Sequence, residues 1–341
     1  MNALLRRFLR IAEGEIDFRR RGFRGGTPES VRNVEAIGAA FLHGYHQALD
    51  AGSTEALVEQ LELVAAERRG FSYEGAAMAL YLLDRLVPGR RDCFAAFLAD
   101  GGSEHLYMAY IGAGWAHARL PFGLRRAMTR LDLLLRWLVL DGYGFHQGFF
   151  HWRSAVEGQQ RVPRRLESYA RRAFDQGLGR SLWFVDGHDV DRIAATVSRF
   201  APTRHSDLWA GVGLAATYAG GAEPAAMWRL REHAGTHRGW LAQGSAFAAK
   251  ARMRAGNLVP HNDVTCRALC GVDAITAAAL VDAACCELPP DQPAEPAYEV
   301  WRRRTRERLE VLDATSERAA SVVTTNPSAP GAAHDAQVAL G

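Results

Sequence analysis

The chain is almost without lysine. Of its 41 lysine and arginine residues, all but Lys250 are arginine. The charges nearly cancel, at a formal +3, so bulk charge offers nothing to a polyanion and no nucleic-acid partner is expected. Cysteine is scarce. Cys93, Cys266, Cys270, Cys285 and Cys286 are an odd set with no CxxC pair, which argues against a disulfide scaffold and against a zinc ribbon. Free thiols fit a reducing, cytoplasmic setting. No run reaches the ~18 apolar residues of a membrane span. The nearest, 131–140, is broken by Arg136. The basic start lacks the apolar stretch and small-residue cleavage site of a signal peptide. Alternating Val, Ile and Thr bounded by turns is missing, so strands are not expected. Also missing are GxGxxG after a strand, GxxxxGK(S/T), HExxH, GxSxG and CxxCH. The paired ExxH motifs of helical di-iron proteins are absent too.

What remains is helical periodicity. Val34, Ile37, Phe41, Tyr45 and Leu49 recur at a spacing near 3.6, which predicts a helix. Thr27 ahead of Pro28 reads as its N-cap, and Ser53, Asp189 and Asp273 read as caps of later helices. The fold class is therefore all-α: a single large domain of packed helical hairpins with degenerate internal repeats. Residues 1–26 form a basic amphipathic N-terminal segment that either packs on its own domain or rests at a membrane surface. Residues 27–290 form the helical repeat core. Residues 291–314 read as a surface helix rich in Arg and Glu, and 315–341 as a disordered tail.

Three phrases echo one another: GFSYEGAAM (70–78), DGYGFHQGFFHWR (141–153) and DGHDVDRIAATV (186–197). Each reads as the opening of a helical unit, and the expectation is that their polar residues gather around a common hollow. A second repeat aligns Ile111–Ala118 with Val212–Ala219. It places Gly112 four before Ala116 and Gly213 four before Thr217, each pair on one helix face. Glycine inside a helix costs ~1 kcal/mol against Ala. Either closely crossing backbones or a ligand lying on the smooth face would justify it.

The candidate catalytic residues are His146, His188 and Lys250. A histidine oriented by a carboxylate, here Asp189 or Asp191 for His188, acts as acid or base near neutral pH. Lys250 sits among small and apolar residues, where it either snorkels outward or holds a ligand. Gln147, His151, Gly112, Gly213 and Gln243 are the candidate substrate-binding residues. No metal site is expected: on a regular helix, His146 and His151 lie about 140° apart and cannot share an ion. No cofactor can be named.

FRRRGF, DGYGFHQGFFHW, LWAGVGLAATYAGG, WLAQGSAFAAKARMRAG and PHNDVTC occur in this order. The chain resembles the UnbL-type bacterial family of unknown function, encoded beside enediyne polyketide synthases. The resemblance covers roughly residues 5–290 and departs at Asn262-Asp263-Val264, where Thr-Glu-Leu is the family's pattern. It brings no established catalytic residues. It implies a role in converting the polyene released by an iterative polyketide synthase into the enediyne core, with a hydrophobic, polyene-like small molecule as ligand. It also implies a membrane-bound partner enzyme encoded nearby. Two functions follow as expectations: an accessory enzyme or enzyme component acting on that polyene, or a non-catalytic helical scaffold that assembles partner enzymes at the membrane.

Overall fold

A computed structural model describes residues 3–87, 89, 92–159, 168–292 and 295–325. All regular structure among the described residues is helical, as the periodicity predicts. Ten helices carry the argument: α1 (Ala3–Leu9), α2 (Pro28–Asp50), α3 (Ala66–Leu86), α4 (Leu106–Arg119), α5 (Arg136–Phe150), α6 (Ser168–Val185), α7 (Pro202–Ala219), α8 (Arg238–Arg254), α9 (Ala274–Cys285) and α10 (Ala297–Thr325). Shorter helices link them. The expected caps are in place. The side chains of Thr27, Ser53, Asp189 and Asp273 each accept a hydrogen bond from the backbone N–H three residues on, which satisfies a donor that the helix start leaves unpaired.

Helices α2 to α8 form one row in which each packs antiparallel on the next. The contact is backbone on backbone. A Cβ on Gly177 of α6 would lie 1.8 Å from the Asp141 carbonyl oxygen of α5, and one on Gly144 of α5 would lie 2.1 Å from that of Phe174. Residue numbers rise on one helix as they fall on the other, hence the antiparallel sense. The same reciprocal crossing joins α6 to α7 through Gly179 and Gly211, and α7 to α8 through Gly213 and Gly244. Each glycine forfeits helix propensity. Each returns dense main-chain contact that a larger residue would prevent.

These crossings decide what the glycine faces are for. Gly112 lies against the Glu74 carbonyl and Gly213 against that of Leu241, where added Cβ atoms would sit 2.2 and 2.0 Å away. A neighbouring helix, not a ligand, takes the smooth face. The crossings also relocate two of the three phrases. Residues 70–78 lie inside α3 and 141–150 inside α5; only 186–189 is a turn ahead of a helix. Glycine there marks a crossing, not the start of a unit.

The row curls. Asn33 of α2 donates to the Ala219 carbonyl at the end of α7, at 3.3 Å. The edge of Phe71 meets the ring of Tyr218, with centroids 5.2 Å apart, and Arg252 of α8 donates to the Glu67 carbonyl of α3 at 2.8 Å. Helix α3 is consequently buried on every side from Gly70 to Leu83, as a helix inside a curled row must be.

The C-terminal helix differs from the sequence reading. Expected on the surface, α10 buries Tyr298, Trp301, Arg302 and Leu309. Its guanidinium at Arg302 is fully enclosed and donates to Asp207 at 2.8 Å, Glu299 at 2.9 Å and Gln243 Oε1 at 3.1 Å. The Arg and Glu repeat looked like a solvated face because the chain's own partners for those charges lie far away in sequence. The helix continues to Thr325, past the expected start of a disordered tail; residues 326–341 lie outside the described residues. At the other end, α1 packs on its own domain through buried Leu9, whose carbonyl accepts from Tyr45 at 2.7 Å.

Candidate functional site: a buried carboxyl in an aromatic slot

The inward side of the row carries a polar chain. Asp141 of α5 accepts from Arg180 at 2.5 Å and from Gln176 at 2.7 Å, both on α6. All three are buried. Arg180 also lies over the ring of Phe145, 4.6 Å from its centre. The two charges balance each other, as a charge pair in a low-dielectric interior must, while Nε of Arg180 is left without a partner.

Glu74 is different. It sits one residue before the crossing glycine of α3, is 1% exposed, and neither carboxylate oxygen has a hydrogen-bond partner. Burial pushes its acid up to about 8; the charge of Arg180 works against the shift and that of Asp141 adds to it. An ionised carboxylate loses its hydration there and gains no donors. At neutral pH the group is mostly the neutral acid. The indole N–H of Trp115 faces it from just beyond hydrogen-bond range. Four residues earlier on α3, hence on the same face, Gly70 makes room for the hydroxyl of Tyr218, which would meet an added Cβ at 1.9 Å. That hydroxyl is buried and unpartnered as well.

Two narrow cavities flank this point. The first has a volume of about 40 Å³ and is walled by Phe41, Phe71, Trp115, Phe145, Phe149 and Phe184, with Glu74 in its wall. Ile11, Glu15 and Ile16 from the N-terminal segment close it. The second, about 30 Å³, is lined by Ile111, Leu138, Leu214, Tyr218, Phe247 and Trp301. Each volume is near that of one or two waters. A chain-like ligand therefore enters only if part of the lining moves aside.

The structure does not gather the sequence-predicted trio. His146 is buried on α5, its ring 5.5 Å from that of Trp115 and 4.8 Å from that of Phe150. It stands behind the wall of the first slot. Burial, then the charges of His151, Arg119 and Arg21, lower it to about 3, so it is neutral at pH 7. His188 lies in the turn after α6 at a left-handed φ of 63°. Its Nδ1–H donates to the Gly221 carbonyl at 3.0 Å and its ring stacks on Trp183 at 5.0 Å. Burial lowers it to about 4. A carbonyl, not Asp189 or Asp191, orients the ring: Asp189 caps a helix, and Asp191 pairs with His233 at 2.6 Å. Lys250 lines the second slot and pairs with Asp282 at 2.6 Å.

Of the binding candidates, Gln243 is fully buried and holds Arg302. Gln147 is half-buried on α5, and its carbonyl accepts from the His151 N–H at 2.9 Å. His151 is exposed at the end of α5. Its backbone leaves the helix at φ −122°, ψ 33°, and its ring comes within 5.9 Å of that of His146. The 140° separation thus fails, because the regular helix it assumes has ended. No group of three or more His, Cys, Asp or Glu among the described residues is placed to hold a metal ion.

Sequence reasoning missed Glu74, Asp141, Arg180 and Tyr218. A signal existed: an acid or amide directly before a helix-interior glycine recurs at Glu74-Gly75, Asp141-Gly142, Gln176-Gly177 and Gln243-Gly244, where the polar side chain is buried, and at Gln147-Gly148, where it is half-buried. The signal therefore marks candidates without singling out the buried ones.

A protein-family profile matches residues 1–309, nearly the whole described chain. The chain belongs to DUF1702, a family of proteins of unknown function. No curated protein and no solved structure matches it. This DUF1702 chain has no single helix, among the described residues, that is long and apolar enough to cross a membrane.

Proposed function

We propose that the chain is an accessory enzyme, or enzyme component, of enediyne biosynthesis that takes up the polyketide-derived polyene during core maturation. One observation carries the reading: a slot walled by aromatic rings with a buried, unpartnered carboxyl, Glu74, in its wall. Apolar surroundings with few converging polar groups are the mark of a small-molecule site. Flat aromatic walls suit a flat, conjugated chain, which offers its faces to stacking. The N-terminal residues that close the slot supply the gate. The test is direct. The full chain is incubated with the linear polyene released by an enediyne polyketide synthase and passed through a sizing column. The polyene's absorbance should travel with the protein, about one molecule per chain. A protein peak without that absorbance defeats the reading.

A second reading, a non-catalytic scaffold that holds partner enzymes at a membrane surface, draws on one feature. Phe8 of α1 is 77% exposed beside Arg7, while Leu9 anchors the helix. An exposed aromatic with basic neighbours favours an anionic interface. Co-sedimentation with anionic vesicles that Phe8→Asp abolishes would support it; no sedimentation of the wild type would dismiss it.

A further inference from the structure

The slot reading leaves open which part of a ligand lies beside Glu74. The polar atoms around that point narrow it. Both oxygens of Glu74, the indole N–H of Trp115 and the hydroxyl of Tyr218 are buried and unpartnered. Nε of Arg180 and the side-chain amide of Asn257 are too, and the Asn257 amide faces the Tyr218 hydroxyl. A native interior rarely leaves such groups idle, because each lost hydrogen bond costs about 1–3 kcal/mol. Of these groups, Glu74 and Trp115 line the first slot together, so an oxygen carried by the slot's ligand comes within reach of both.

The charge balance selects its kind. Arg180 is already neutralised by Asp141 at 2.5 Å. The described groups that face Glu74 are Arg180 and Asp141 from α6 and α5, Tyr218 from α7, and Glu15 in the slot's cover. Helices α4 and α2 present Trp115 and apolar side chains. Arg252 of α8 lies over the Tyr218 ring at 4.2 Å, but it donates to the carbonyls of Ala66, Glu67, Tyr218 and Asn257 and lines neither slot. The first slot's lining holds no cation for a ligand carboxylate, and two acids, Glu74 and Glu15, are part of it. A neutral acid, an indole N–H and a phenol are donors to a neutral acceptor. The pairing of a phenol with a protonated carboxyl is known to hold carbonyl oxygens in dry sites.

We infer that the slot's ligand is an oxygenated apolar chain, a conjugated ketone, aldehyde or alcohol, whose oxygen is held beside Glu74 by the carboxylic acid and the Trp115 N–H. This rests on the slot reading, and the test separates the two. Three probes of equal length are titrated into the full chain: a conjugated polyene hydrocarbon, the matching methyl ketone and the matching carboxylate. The ketone should bind about tenfold tighter than the hydrocarbon near pH 6.5, as one good neutral hydrogen bond implies. The carboxylate should bind more weakly than either.

The ketone's advantage should fade as pH rises through the range in which Glu74 ionises, at about 8. Glu74→Gln, which keeps a donor but cannot ionise, should hold the preference and lose its pH dependence. Trp115→Phe keeps an aromatic ring and removes the N–H; it should cut the ratio of ketone to hydrocarbon affinity, read within the one variant, several-fold. Circular dichroism identifies a variant that fails to fold, in which case the wild-type probe series and its pH profile decide. Hydrocarbon and ketone binding equally at every pH overturns the inference and leaves the slot standing. Failure of all three probes removes the slot as well.

Discussion

Glu74 is a buried carboxyl with no hydrogen-bond partner. Its folded acid constant stands above its unfolded one, so the native state holds a proton that the unfolded chain releases. Stability from this group is complete below the unfolded value, near 4.5, and is lost as pH rises through about 8. Glutamine has no proton to lose. Glu74→Gln should therefore gain on the wild type by about 2–3 kcal/mol between pH 6 and pH 9 in urea unfolding, each unit being worth ~1.4 kcal/mol. Parallel curves for the two proteins would mean that the carboxyl is already ionised and solvated at pH 6. Caps at Thr27, Ser53, Asp189 and Asp273 were legible in the sequence because a cap is a local event. Glu74 was not. Nothing near it in sequence shows that Asp141 and Arg180, more than sixty residues on, will surround it.

The elements show the same division. Helices are legible in the apolar spacing, but two of the three glycine phrases, 70–78 and 141–153, read as boundaries and lie inside helices. The phrase 141–153 reads as the opening of a helical unit, yet the helix, α5, starts at Arg136 and runs through Gly142 to Phe150; α6 likewise runs through Gly177 to Val185. The reason is tertiary. The lost propensity is offset by main-chain contact across the crossing, which no local signal reveals. Two substitutions separate this from glycine's ordinary role. Gly177→Ala places a methyl 1.8 Å from the Asp141 carbonyl, which forces α5 and α6 apart and should cost 3 kcal/mol or more, roughly the upper range of overpacking. Gly52→Ala meets open space and should change stability by about 0.5 kcal/mol or less. Thermal melts of the two variants check this. Equal melting temperatures would show that the crossings tolerate separation.

For the whole molecule, the curl of the row turns these local choices into a pH profile. His105, His117, His146 and His188 are all buried, and burial lowers them to about 3, 4, 3 and 4. The unfolded chain takes up protons below pH ~6.5 that the folded one refuses. Stability from these four is present above that value and is lost as pH falls. The slope from these four should be steep, on the order of 5 kcal/mol per pH unit near pH 5. Glu299 adds to it lower down: burial raises its carboxyl, but Arg302, Arg172 and Arg306 outweigh burial and hold it at about 2. Unfolding at stepped pH should show a maximum near neutrality with a steep acid limb; a flat profile from pH 7 to pH 5 would contradict the burial of these rings.

The slot is the claim on which the functional account turns, and filling it is the sharpest test. Val34 lines it from α2. A conjugated polyene should saturate the wild-type chain at about one molecule per chain and quench its tryptophan emission, and Val34→Phe should abolish both while the far-ultraviolet dichroism stays unchanged. Undiminished binding to a folded Val34→Phe variant would place the ligand elsewhere and end the account.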